Sequence, residues 1–444
     1  MIDSVPFRDA RQERGTQRMV HLTEYEKKML QGEFGPFRQA AMKVIYDYAA
    51  VLGAEELCVV RRATLFIGAH HYLDSFAAEE NYETMFSRFC LNQNTPIPFT
   101  RMAPECAVQT CAAACDLFDY EATHLGKEFV ERNNHYLDAT SEIGVSIVNA
   151  CTPYYVGWVP LAGEHFVTNE SSNTLMSNSM FGAYGNADGV ETAVCAAITG
   201  RTPQWGMHIK ENRYGDVLIQ VETQPDDAFD WDLLGYTIGR YLPPHGKPVL
   251  QGNFIRPDVN MLRQCFSALA STSAAEICHI VGVTPEARSI ADALGGKEPR
   301  CTITITKNEI EASLAMLCDD GHGPVDLVSI GCPHLSLEEL RDLAWALEDQ
   351  KVADGTDFWI WTDYATQHMA QRSGYIKKIE KSGAKVLNSS CPLVMRERSH
   401  RRYHAMVMSG AKQAHNIRSQ TDTPVYFGNT KACIQAAIRG YWGN

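Results

Sequence analysis

Three cysteines stand beside or near proline among small residues: Cys332 in "GCPHLSLEEL", Cys391 in "NSSCP" and Cys151 in "NACTPY". Thiolates bind soft and borderline metals, so three of them meeting in space would hold an iron–sulfur cluster or a zinc ion. Three protein ligands leave one metal position open to substrate. Spacing alone does not require this, because no Cys-x-x-Cys pair occurs and 59 positions (391 − 332) separate two of the three. The competing reading is that these thiols pack as small hydrophobic groups.

A second set of groups suits a small acid substrate. "NESSN" supplies Glu170, Ser171 and Ser172, and "SNS" supplies Asn178 and Ser179. Tyr154 follows Cys151 by three positions, and His334 follows Cys332 by two. His165 and His334 can donate, accept or orient, and Lys412 can pair with a carboxylate. The catalytic candidates are therefore Glu170, Ser171, Ser172, His334 and Lys412. The substrate-binding candidates are Tyr154, His165, Asn178 and Ser179. Any one serine taken alone is more often a turn or a helix cap. The pair His70 and His71 is set aside, since adjacent side chains point apart on a helix or a strand.

The positioning elements follow from hydrophobic period and caps. From Leu22 to Leu52 the sequence predicts helix, opening on a Thr23-x-x-Glu26 capping box, and "ELCVVRRATLFIG" predicts a strand. "QTCAAACDLF" reads as helix with Cys111 and Cys115 on one apolar face, and "DGVETAVCAAITGR" as helix capped by Asp188 and ended by Gly200. Residues 151–200 are rich in glycine and small polar groups, a composition that lets backbone and hydroxyls approach a ligand. From residue 275 strands and helices alternate: "EICHIVGV", then a helix from Thr284 and Pro285, "CTITIT", "KNEIEASLAMLC", "VDLVSIG", a helix opened by Ser336-x-x-Glu339, "DFWIWTD", "QRSGYIKKIEKSG" and "AKVLNSSC". Such alternation predicts mostly parallel sheets with helices on both faces, a multi-domain α/β chain. Cys332 and Cys391 then end strands, on the rim where open α/β sheets bind ligands. The expected division is a flexible tail over 1–20, an α/β region over 21–275 and a doubly wound α/β domain over 276–444.

Composition narrows the class. The 444 residues are 45% hydrophobic and 21% charged, with a net charge of −13. That balance suits a globular chain and argues against a nucleic-acid partner, which would need clustered Lys and Arg. No apolar run long enough to cross a bilayer is present, and the first twenty residues lack an apolar signal core. A cytoplasmic location is expected, and with it the fourteen cysteines are expected to be free thiols or ligands rather than disulfides.

Stretches along most of the chain, among them "LTEYEKKMLQGEFG", "CTPYYVG", "GEHFVTNESSNTLMSNSMFGAYGN", "AAITGRTP", "GCPHLSLEEL", "NSSCP", "SGAKQAH" and "KACIQAAIRGYW", resemble the large subunit of the aconitase X family, in the aconitase superfamily. The resemblance implies an iron–sulfur-dependent hydro-lyase, with cluster ligands at Cys151, Cys332 and Cys391 and a cluster of the 2Fe-2S, 3Fe-4S or 4Fe-4S type. It also implies a substrate akin to cis-3-hydroxy-L-proline or mevalonate 5-phosphate, and a separate small swivel-domain subunit. Four positions depart from the family pattern: Leu65 stands where a histidine is usual, Tyr184 and Ala187 where arginines are usual, and Gly410 where a serine is usual. The departures imply an altered substrate, with a different lyase or isomerase reaction, or a non-catalytic ligand-binding relative, as the alternatives.

Overall fold

The computed structural model describes residues 19–66, 82–395 and 402–443. The tail up to residue 18 and the pair His70 and His71 lie outside the described residues. Helices Glu24–Gln31 and Pro36–Leu52 come first, the former closed by the Thr23–Glu26 capping box. They lead into a sheet of β1 (Leu57–Leu65), β2 (Ala107–Thr110), β3 (His165–Thr168) and β4 (Arg201–Pro203). In it β2 and β3 flank β1 in parallel, and β4 joins the start of β1 antiparallel.

A second sheet runs β7-β6-β5-β8, all parallel, from β5 (Val217–Val221), β6 (Pro248–Gly252), β7 (His279–Ile280) and β8 (Cys301–Ile305). One face packs Val217, Ile219, Leu250 and Ile305 against helices Ala228–Tyr241 and Val259–Thr272, and against Leu175 and Met176 of helix Ser171–Ser179. The sheet spans residue 275, so the expected boundary between 275 and 276 falls inside it: β7 and β8 pair with strands that precede that point.

The third sheet contains β10 (Leu327–Leu335), β11 (Asp357–Thr362), β12 (Lys385–Asn388), β13 (Met406–Met408) and β14 (Val425–Phe427), in the order β12-β11-β10-β13-β14 and fully parallel. A short antiparallel pair, β9 (Gly323–Pro324) with β15 (Tyr441–Trp442), sits beside it. Period-two alternation sorts its side chains. Val328, Ile330, Phe358, Ile360, Val386 and Val407 meet the helices that follow these strands. Trp359, Trp361 and Leu387 meet Cys115, Leu125 and Val130 from the first part of the chain. The third sheet is therefore sealed by a distant sequence segment.

Three local expectations are corrected. Residues 111–116 are not helical: Ala113 N–H donates to Ser389 O, and the Asp116 carboxylate accepts from Asn388 N–H, so this stretch is spent on the third sheet's edge. Cys111 and Cys115 are nonetheless buried. Helix Val190–Thr199 is capped by Gly189, because Asp188 donates its N–H to Thr168 O and belongs to a segment that runs beside β3. Thr284 opens no helix; its hydroxyl accepts from Ile280 N–H, and helix starts only at Ile290 under Ser289.

Candidate functional site

One cavity of about 210 Å³ is lined by Cys151, Cys332 and Cys391 together with Glu170, Ser171, Ser172, His334 and Lys412. Five chain segments supply these eight residues. Cys151 precedes the turn Pro153–Val156. Glu170 caps helix Ser171–Ser179, accepting from Asn173 N–H at 2.6 Å. Cys332 and His334 lie where β10 loses its regular pairing, between Ile330 and Leu335. Cys391 follows β12, and Lys412 lies in the first turn of helix Ala411–Arg418. The starts of helices 171–179 and 411–418 thus face the cavity, and helix N-termini favour anions.

Backbone close approach sets the Cys332 position. Gly331 has φ +105, and a Cβ there would stand 2.2 Å from Trp361 O. Only glycine tolerates both. A Cβ at Gly410 would stand 2.2 Å from Cys332 O, so this chain has closed the space that a serine would need. Gly410→Ser, and equally Gly410→Ala, is expected to cost roughly 1–3 kcal/mol of stability through overpacking. Thermal unfolding measures this, and an unchanged midpoint in both variants would refute it.

The site sets thiols beside a carboxylate–ammonium pair. Cys332 and Cys391 are hydrogen-bonded thiol to thiol, which raises Cys332 and lowers Cys391. His334 N–H donates to Cys151 Sγ at 3.3 Å. Burial alone would push the His334 imidazole down, but the Cys151 sulfur beside it lifts it to about 9. Lys412 Nζ donates to Glu170 Oε1 at 2.6 Å, to Ser172 Oγ at 2.8 Å and to Ser171 Oγ at 3.3 Å. Burial opposes the Lys412 charge, yet the Glu170 carboxylate together with the Cys332 and Cys151 sulfurs raises the ammonium's pKa. Three thiols on one cavity wall, a backbone N–H directed at one sulfur, and a cation nearby form a donor set that fits an anionic iron–sulfur cluster.

The remaining sequence candidates lie elsewhere. Tyr154 is packed with Tyr155 and Phe181. Asn178 holds Gly185 O and N–H and accepts from Arg213, and Ser179 accepts from Cys278 N–H. His165 starts β3, beside His208. Of the departing positions, Leu65 is buried at the end of β1, Tyr184 lies under the Arg213 guanidinium, and Ala187 N–H donates to Glu276 Oε1. None of these seven residues lines the cavity.

Groups the sequence reading passed over do line or support it. Asn169 and Ser390 line the cavity; Asn169 Oδ1 accepts from Phe66 N–H at 2.7 Å, and its buried Nδ2 has no hydrogen-bond partner among the described residues. Asp232, from the second sheet's helix, accepts from Ala411 N–H at 2.6 Å and so anchors the turn of Lys412. Arg263, fully buried, grips Glu339 and donates to His334 O at 3.1 Å. In sequence Asn169 had one signal, its place directly before "ESS"; Asp232 and Arg263 had none.

Models of the first, second and third domains of aconitase X match residues 19–211, 215–315 and 325–439. The phosphomevalonate dehydratase large subunit of Methanothermobacter thermautotrophicus is 31% identical, over 84% of this chain and 88% of that protein. The cis-3-hydroxy-L-proline dehydratase of Pseudomonas aeruginosa is 29% identical, over 94% of this chain and 70% of that protein. In fold, the chain matches the crystal structure of Thermococcus kodakaraensis aconitase X in its holo form, with a TM-score of 0.78 at 24% identity, over 94% of this chain and all of that one. With three domain models covering nearly its whole length, the chain belongs to the aconitase X family.

Proposed function

We propose that this chain is the catalytic large subunit of an iron–sulfur-dependent hydro-lyase that removes water from a small hydroxy carboxylic acid. The observation that carries the reading is a single cavity joining Cys151, Cys332 and Cys391 to the Glu170–Lys412–Ser172 cluster. The relatives named as dehydratases support the reaction class, and the name "large subunit" in several of them supports a small partner subunit. Among the described residues no helix is long and apolar enough to cross a membrane. A cytoplasmic location remains part of this proposal.

Cys151, Cys332 and Cys391 hold the cluster, which when bound supplies Lewis-acid pull on the substrate's oxygen atoms. Lys412 is the sole lysine or arginine among the described residues lining the cavity, and it holds the substrate carboxylate. Glu170 is a positioning residue: one oxygen holds the Lys412 ammonium and the other caps the helix that carries both serines. One oxygen of the Ser171–Ser172 pair, held as its alkoxide by the Lys412 ammonium that donates to both, takes the proton from the carbon beside the carboxylate and becomes a neutral hydroxyl. His334 donates Nε2–H to Ser390 O, and its protonated ring gives the Nδ1 proton to the departing hydroxyl, which leaves as water.

Asn169 Nδ2 donates to the substrate. Asn169→Asp keeps the acceptor for Phe66 N–H and loses that donor, so kcat/KM is expected to fall roughly tenfold or more, as one lost hydrogen bond of about 1.4 kcal/mol implies. Steady-state kinetics check this, and an unchanged kcat/KM refutes it.

The function is tested by anaerobic loading with iron and sulfide, visible absorption, and assays of cis-3-hydroxy-L-proline and phosphomevalonate dehydration, with and without a small subunit from a related enzyme. Colourless, iron-free protein after loading would sink the reading.

A further inference from the structure

At the opposite end of β1 and β3 from the cavity lies a second group of metal-ligating side chains. Cys58, His165 and His208 each place a donor atom within 4.8 Å of the other two. Cys58 is the second residue of β1, His165 the first of β3, and His208 ends the turn Gly206–His208 just past β4. The cavity begins at Phe66, beyond the other end of β1, eight residues from Cys58 (66 − 58) and so roughly 26 Å away along an extended strand. The two groups do not overlap.

We propose that Cys58, His165 and His208 bind a zinc ion, with solvent in the fourth position, that ties the start of the first sheet to the connection entering the second. One thiolate and two imidazoles are a donor set for tetrahedral zinc. The His165 and His208 Nδ1 atoms are 3.0 Å apart, close to the roughly 3.3 Å edge of a tetrahedron with zinc–nitrogen bonds of about 2.0–2.1 Å. Cys58 and His208 are buried.

The surroundings suit a cation. Burial holds both imidazoles in the neutral form that ligates metal. Burial first, and then the carboxylates of Glu56, Asp188 and Glu26, push the Cys58 thiol up to about 12. A dication would use that same negative field and strip the thiol of its proton. The opposing charge is Arg213, which acts on both histidines but is itself ion-paired with Glu286 and stacked on Tyr184.

The test is metal analysis of the whole chain, loaded anaerobically with iron and sulfide, then exposed to zinc chloride and desalted. The expected content is about one zinc per chain beyond the cluster iron. Cys58→Ala should lose the zinc while keeping iron and visible cluster absorption, and Cys151→Ala should lose iron while keeping the zinc. Cobalt loaded into Cys151→Ala should show a near-ultraviolet thiolate charge-transfer band that is absent from the Cys58→Ala/Cys151→Ala double variant. Should Cys58→Ala fail to fold, His208→Gln is expected to give the same loss of zinc. Zinc below about a tenth per chain in the wild type, or retained in the Cys58 or His208 variant, overturns the proposal.

Discussion

Cys332→Ala protein prepared anaerobically is expected to emerge without its share of iron and with dehydration lowered by about a thousandfold or more, since Lewis-acid stabilisation is worth several kcal/mol. Cys332 is the sulfur most committed to the site. It is buried, its thiol is hydrogen-bonded to that of Cys391, and its backbone carbonyl lies against Gly410 at the base of the Lys412 helix. Cys151→Ala and Cys391→Ala are expected to behave alike, because a three-ligand site has no spare donor. Cys433→Ala is the control: this thiol is fully buried in the third sheet's core, so its loss should shift stability by a small cavity cost and leave iron unchanged. Iron and sulfide assays with visible spectra read the result. Full iron in Cys332→Ala would mean that the three thiols do not act as one ligand set.

Arg263→Met is expected to lower stability by about 3–5 kcal/mol, the cost of stranding one partner of a buried ion pair. Arg263 donates to both oxygens of Glu339, at 2.6 and 2.8 Å, and its side chain is fully buried. Glu339 also caps helix Leu337–Ala346 through Ser336, and Arg263 reaches the His334 carbonyl. One guanidinium from the second sheet's helix therefore braces the segment that carries Cys332 and His334. The double variant Arg263→Met/Glu339→Leu should recover part of the loss, since the stranded charge goes with its partner. Burial opposes ionisation of Glu339, but Arg263 outweighs it and holds the carboxyl below its ordinary range. The stabilisation is then fully present above the unfolded carboxyl's value of about 4.3 and lost as pH falls through the lower folded value. Denaturant unfolding from pH 7 down to 3 measures both effects. A single-variant loss under about 1 kcal/mol would contradict the brace.

Much of the frame was readable from local pattern. The Thr23–Glu26 and Ser336–Glu339 capping boxes, the strands at 57–65 and 357–362, and the parallel alternation after residue 300 all depend on neighbours a few positions apart. Three cysteines and the "ESS" run were also picked out from residue type and turn context, and the chain brings them to one cavity. Local pattern failed where distant backbone competed for the same groups. Residues 111–116 look helical, yet their N–H and carboxylate groups go to residues 388 and 389. Asp188 looks like a cap, yet its N–H serves Thr168.

The choice among polar residues was a tertiary decision. Glu170, Asn178 and His165 are alike in polarity and close in sequence, but only Glu170 meets Lys412, a partner 242 positions away. Asn178 is spent on Gly185 and Arg213, and His165 on His208. Sequence determined which elements form and which residues have the chemistry, because helix caps and strand alternation are short-range. The meeting of residues 151, 170, 332, 391 and 412 was decided by how the sheet faces seal against one another and by buried bonds such as Arg263 to His334 and Asp232 to Ala411. Those contacts join groups 71 and 179 positions apart, where no local pattern reaches.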